Sequence, residues 1–361
     1  MKKSNLKKFI ALGLTLAGAA FTPSLHANVS VFVEGGSASQ SVLYDRATNL
    51  FAGGTFTSTG TASSTVRRFQ GISSNPLLSG YGTITFDINV ANGAIAGLQA
   101  LVNQSAGPAD TNILGQATVP TFVDSATSPE AVGIDSTAAN LSSYLTYVVP
   151  LVYIKNTNFP VVNAITNLTQ RQAVSLETSV NPATFYGGKA TNLIYFVGRN
   201  SQAAVRTEID LNIYNTDNIR TFTNNAAGFQ VQDTSADPGL ASGGANATAT
   251  IALTNSIGTV AVQNIKSPLA TIAFEGVPYS AANVINGSYA IWGYENYYFI
   301  TAPNTGAPST AQQAVIDVFY NSLSDSTFQA STVFTNLFIP EASLKVKRNY
   351  DGGPIIPKPG Y

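Results

Sequence analysis

The stretch "YFVGRNSQAAVRTEID", residues 195 to 210, decides how this chain is read. A short apolar run, Tyr195-Phe196-Val197, ends at Gly198; a cation follows at once at Arg199, and "SQAAVRTEID" opens a helical pattern. Unpaired N–H groups and partial positive charge gather at a helix N-terminus, so a cation at the switch from strand to helix is the start of an anion-binding arrangement. Two more Gly/Ser turns precede helical stretches, "GGSAS" at 35–39 and "SGGAN" at 242–246. Aimed at one cleft, three such turns would bind an anion without much net protein charge. Taken singly, each is an ordinary helix cap.

Outward from that stretch, strands alternate with helices. "VSVFV" (29–33) reads as a buried strand, and "GSASQSVLYDRATNLF" (36–51) as turn and helix. "AGGTFTSTGTASSTV" (52–66) reads as a loop, "RRFQG" (67–71) leads on, "GTITFDINV" (82–90) alternates as a strand does, and "NGAIAGLQALVNQ" (92–104) is helical. "PTFVDSATSPE" (120–130) puts Asp124 at the end of an apolar run, where a helix cap or turn is the plain alternative to a ligand role.

The run "SYLTYVVPLVYIKN" (143–156) is almost continuously apolar, which fits a buried strand of the parallel type. "NLTQRQAVSLE" (167–177) is a short helix capped by Asn167 or Thr169, and the helix after Arg199 should run to about Tyr214. "NSIGTVAV" (255–262) is a strand, "AIWGYENYYFI" (290–300) a second long aromatic strand, "AQQAVIDVFYNSL" (311–323) an amphipathic helix, and "DGGPIIPKPGY" (351–361) an extended tail. The aromatics near 289–298 are expected in the core rather than the cleft. Alternating strands and helices argue α/β, and the lack of a short repeat argues against a solenoid or propeller.

Composition narrows the chemistry. "MKKSNLKK" followed by "FIALGLTLAGAAF" has the form of a secretory leader, residues 1–27, with cleavage expected near Ala27; the apolar run is shorter than a membrane span. The single histidine, His26, falls in that leader and the chain has no cysteine, so His or Cys catalysis, disulfides and His/Cys zinc sites are not expected after it. No lipid-anchored cysteine is available, so a membrane anchor is not expected. Lys2, Lys3, Lys7 and Lys8 also belong to the leader, which leaves fourteen basic residues against 19 acidic ones, a net charge of −5. A mildly acidic chain is a poor partner for nucleic acid.

In order along the chain, these segments resemble the periplasmic phosphate-binding proteins of ABC transporters and the wider class of type 2 substrate-binding proteins. "EGGSASQSVLYDRATNLF" is similar to that family's opening strand-turn-helix, "RRFQG" to its "YQGIGSSGG" segment and "PTFVDSATSPE" to its "DFGASDAPL". "TYVVPLVYIKN" and "AIWGYENYYFI" are similar to its two hinge strands, and "SIGTVAV" to its "GAIGYVEYAYA" segment. The resemblance implies an α/β type 2 periplasmic-binding-protein fold: two α/β domains joined by two crossover hinge strands, with a ligand cleft between them. Domain one would comprise 28–147 plus 299–361, and domain two 148–298.

The family's "R-A-D-G-S-G-T" motif falls on Arg199 through Val205. Arg199 is kept, Ser201 stands where the orienting aspartate would be, and Ala203-Ala204-Val205 replace Ser-Gly-Thr. Each lost hydroxyl removes a bond of roughly 1.5–3 kcal/mol, so the motif is eroded by several decades of affinity. Asp124 falls on the family's phosphate-facing aspartate. The expected ligand-binding residues are Ser37, Ala38, Ser39, Asp124, Arg199, Ser201, Gln202, Ser242 and Gly243.

The resemblance implies a periplasmic or secreted monomer that binds a small anion such as phosphate and hands it to an ABC transporter permease, with no cofactor, no metal and no catalysis. The alternative is a non-enzymatic secreted or cell-surface structural or adhesive protein that kept the fold and lost tight phosphate binding. A phosphatase-like hydrolase would have only Asp, Glu, Ser, Lys or Tyr to work with and is the weakest of the three.

Overall fold

Two long strands, Leu141–Asn156 and Trp292–Ile300, run antiparallel side by side through the middle of the molecule. The computed structural model describes residues 27–361 except 62, 108–109, 226–229, 303–304, 332–333 and 335–336. The expected leader therefore lies, but for Ala27, outside the described residues. Among these, no helix is long and apolar enough to cross a membrane.

On one side of the central pair, Phe122–Ser125 is followed by Val29–Gly35, Ile84–Asn89, Val66–Ile72 and Thr55–Thr59; on the other come Ser256–Ala261, Leu193–Val197 and Asn181–Pro182. Val29–Gly35 is parallel to both its neighbours, and Ser256–Ala261 is parallel to Leu193–Val197. Each side is thus a small α/β unit, and the chain crosses between them on the two central strands. This is the expected two-domain architecture with two hinge strands.

Residues Tyr147 through Asn156 are all buried. Yet that strand pairs antiparallel with Trp292–Ile300, Ser256–Ala261 and Leu269–Phe274, not parallel as its apolar run suggested. Cover on both faces selects the apolar side chains, and strand direction leaves no mark on them. Thr55–Thr59 corrects the reading of 52–66 as loop: it is an edge strand with every residue exposed, so it carries no hydrophobic alternation to detect.

The helices follow their caps. Thr169 and Gln172 form a capping box at the start of Gln170–Thr178, which resolves the choice between Asn167 and Thr169, and Ser309 and Gln312 do the same for Thr310–Ser322. The helix after Arg199 spans Ala204–Ile213, with Tyr214 closing it in the left-handed conformation. The tail from Lys345 reaches back across the molecule, where Lys345 N–H bonds to the Ile285 carbonyl and Arg348 to Asn212.

Thr310–Ser322 turns Val315, Ile316, Val318 and Phe319 inward. Phe319 stacks on Phe86 at 4.9 Å and lies 5.6 Å from Tyr297 and 6.0 Å from Phe122, so one ring joins the helix, the parallel strands and the second hinge strand. Tyr289, Trp292 and Tyr297 are fully buried, as core residues should be. Replacing Phe319 with alanine should cost about 3–5 kcal/mol of unfolding free energy, measured by urea titration. A loss below about 1 kcal/mol would mean that the ring does not tie these elements together.

Candidate functional site

The three Gly/Ser turns do converge between the two α/β units. Ser37 Oγ accepts the Gly243 N–H at 3.0 Å, so the first and third turns touch directly, and Gln263 Nε2 donates to the Ser37 carbonyl. At Gly243 the chain packs closely on a side chain, since a Cβ there would lie 2.1 Å from Asn264 Oδ1 unless that side chain moved. The second turn closes from the other side, with the Ile95 N–H bonded to the Gln202 carbonyl at 3.3 Å. Gly93, at φ 92°, permits that approach, since a Cβ would sit 2.3 Å from the same carbonyl oxygen.

Within this junction lies a cavity of about 10 Å³, room for roughly one water molecule. Gly36, Ser37 and Ala38 form one wall, Arg199 and Ala203–Val205 another, and Glu295 a third. The methyl groups of Ala94, Ala126 and Ala204 pack together beside it. Ala203 and Ala204 both line the cavity, and the Ala204 methyl is one of the three that pack together.

Arg199 is 2% exposed. Its Nε donates to the Leu240 carbonyl at 2.9 Å and its Nη2 to the Ala241 carbonyl at 2.7 Å, while Nη1 has no partner. Among the described residues no ion pair involves it. Burial holds its pKa down to about 10, which still leaves the guanidinium charged at neutral pH. It is a buried cation with an idle donor and no counter-ion.

Asp124 lies within the strand Phe122–Ser125, so it is neither a helix cap nor a turn residue. Ser39 donates its hydroxyl to Asp124 Oδ2 rather than capping the helix Gln40–Asn49. Burial raises Asp124 to about 7, against the opposing hydrogen bonds from Ser39 and Glu295. Glu295 was missed in the sequence because it looks like a lone acid in an aromatic strand. The two-residue period puts it on the face of Tyr297, whose register partner is Asp124, so the two carboxyls are diagonal neighbours. Burial first, then the Asp124 charge, holds Glu295 well above the carboxylate range. Neither Glu295 oxygen, nor Asp124 Oδ1, has a hydrogen-bond partner among the described residues.

Glu208, also fully buried with neither carboxyl oxygen hydrogen-bonded, is pushed well above the usual carboxylate range by burial and then by the Asp351 charge. Other expected residues fall elsewhere. Ser201 is exposed, and its N–H bonds to Asp237 at 2.8 Å. Ser242 is half-buried and caps its own helix by accepting the Ala245 N–H at 3.1 Å. Neither lines the cavity, because each is occupied by its own turn. Gln202 lines a second, wider pocket.

A carboxyl whose pKa is raised on folding binds its proton more tightly in the native state, so stability falls as pH rises from the unfolded value of about 4 to the folded value of about 7. Asp124→Asn should remove up to about 1.4 kcal/mol per pH unit from that decline, read as melting temperature between pH 4.5 and 7.5. An unchanged slope in the variant would show that Asp124 is ionised throughout.

No family model matches the chain, and no curated protein matches it. Solved structures do. A Clostridium perfringens protein assigned as a phosphate ABC transporter substrate-binding protein, solved with phosphate bound, superposes with a TM-score of 0.57 at 14% identity, over 86% of this chain and 99% of that one. An ABC-type phosphate transport receptor from Vibrio cholerae superposes with a TM-score of 0.51 at 12% identity, over 83% and 95%. The chain has the fold of type 2 substrate-binding proteins.

Proposed function

We propose that this chain is a non-enzymatic, exported solute-binding protein that holds a small oxyanion, phosphate first, between its two α/β units and delivers it to an inner-membrane ABC transporter. The single observation that carries this reading is Arg199, which lines the cavity and is buried and charged, with Nη1 unpaired and no ion pair among the described residues. An unpaired buried cation is costly, and an oxyanion supplies what it lacks, as charge and as a bidentate acceptor. The neighbouring carboxyls are no obstacle while protonated. Glu295, which lines the cavity, can then donate to the anion, and the helix N-terminus at Ala204 adds its partial positive charge. The neighbour from Clostridium perfringens was solved with phosphate bound, which supports the ligand class.

The division into 28–147 with 299–361 against 148–298 belongs to the same proposal, as do periplasmic location and a monomeric state. A ligand larger than a water enters only if the units part. The Ser37–Gly243 and Ile95–Gln202 contacts would then be exchanged for ligand contacts. Hinge bending of the two central strands supplies such a motion.

Calorimetric titration should give a phosphate Kd in the micromolar to submillimolar range, weaker than an intact Ser-Gly-Thr motif would allow. Arg199→Ala should weaken it about tenfold or more, and Arg199→Lys, which keeps the charge but loses the fork, by less. No heat at millimolar phosphate from a folded protein would contradict the proposal.

The packing of Ala94, Ala126 and Ala204 favours the second reading, a cell-surface or secreted protein that keeps the fold with its cleft shut. In that case phosphate, sulfate and arsenate would all leave the melting temperature unmoved, and the protein would fractionate with the cell surface.

A further inference from the structure

Beside the anion cavity is a wider pocket of about 490 Å³, within the size range of small-molecule sites. One wall is the helix Ala94–Asn103, with Gln99 and Asn103, and the turn before it, with Asn92; the facing wall is Asn200, Gln202 and Ala241. The Ala241 carbonyl is the one that holds Arg199 Nη2, so the two spaces share a wall. We propose that this pocket binds a neutral polyhydroxylated ligand, a mono- or disaccharide, bridging the two sides of the cleft.

The lining decides the chemistry. It contains five carboxamides, and each presents both a donor and an acceptor, as hydroxyl groups do. Two amide oxygens in the wall, Asn200 Oδ1 and Gln202 Oε1, are buried and take no hydrogen bond, a cost that ligand donors would relieve. Among the described residues, no lysine or arginine lines the pocket, and its one charged residue, Asp110, is an acid. Asp110 is anchored by the Gly107 N–H at 2.6 Å and by Asn92 Nδ2 at 3.2 Å, and Asn92 also bonds to Glu34 at 2.9 Å. Anions are therefore repelled from this pocket. It has no aromatic ring on which a nucleobase could stack, while Ala91, Ala96 and Ala100 offer an apolar surface to the C–H face of a sugar.

The site stands apart from the oxyanion site, because none of its sugar-facing residues depends on Arg199 Nη1. Gln99 and Asn103 are exposed on the helix surface, so changing them does not endanger folding. The test is calorimetry and thermal shift of the full chain with glucose, galactose, maltose and N-acetylglucosamine at up to about 10 mM. At least one of these should raise the melting temperature, and the double variant Gln99→Ala/Asn103→Ala should weaken its binding about tenfold or more. Phosphate titration of the same variant is expected to be unchanged, which separates failure at this pocket from failure at Arg199. The proposal is overturned if none of the four sugars shifts the melting temperature, or if the double variant binds them as well as the original chain does.

Discussion

The antiparallel pairing of Leu141–Asn156 with Trp292–Ile300 is the constraint on which the remainder of the molecule depends. It fuses two α/β units into one sheet and leaves them connected through two strands that can bend together. It also carries Glu295 into the junction. Thr146 Oγ1 donates to the Glu295 carbonyl at 2.7 Å, at the point where the register shifts, so an irregularity in the hinge and an acid in the cleft share one residue. If the units part as proposed, the strands that supply the cleft wall flex with them.

Opposed groups meet at that wall. Arg199 brings a charge that burial does not remove, while burial pushes Asp124 up to about 7 and Glu295 and Glu208 well above the usual carboxylate range. A buried guanidinium with an idle donor and no ion pair among the described residues fits a site that admits a small anion. The packed alanines and the contact between Ser37 and Gly243 work the other way, because they satisfy the turns without any ligand. The balance between a lone cation and a self-satisfied cleft sets how tightly an anion can be held.

Most of the fold could be read from residue pattern, because burial leaves periodic traces. Ile84–Asn89 and Thr310–Ser322 show them, Val29–Gly35 shows instead a short buried run, and the capping box at Thr169 and Gln172 marks a helix start. The exposed edge strand Thr55–Thr59 left no trace, and the direction of Leu141–Asn156 could not be inferred from side chains that are covered on both faces. The site was only partly legible. The turns that meet were visible as Gly/Ser clusters, but whether a serine faces the cleft or its own helix depends on the local hydrogen bond, which separates Ser37 from Ser242. Glu295 and the carboxamide pocket are products of tertiary contact and have no signature along the chain.

The central claim is that an oxyanion sits against Arg199 Nη1 between the two units, and it is tested most directly by anomalous diffraction from crystals grown with arsenate. The account predicts an arsenic peak between the Arg199 guanidinium and the Gly36–Ala38 turn, with Ser37 and Gly243 drawn apart. Crystals grown in the same arsenate with no peak at that position, and the cleft still closed on Ala94, Ala126 and Ala204, would contradict it.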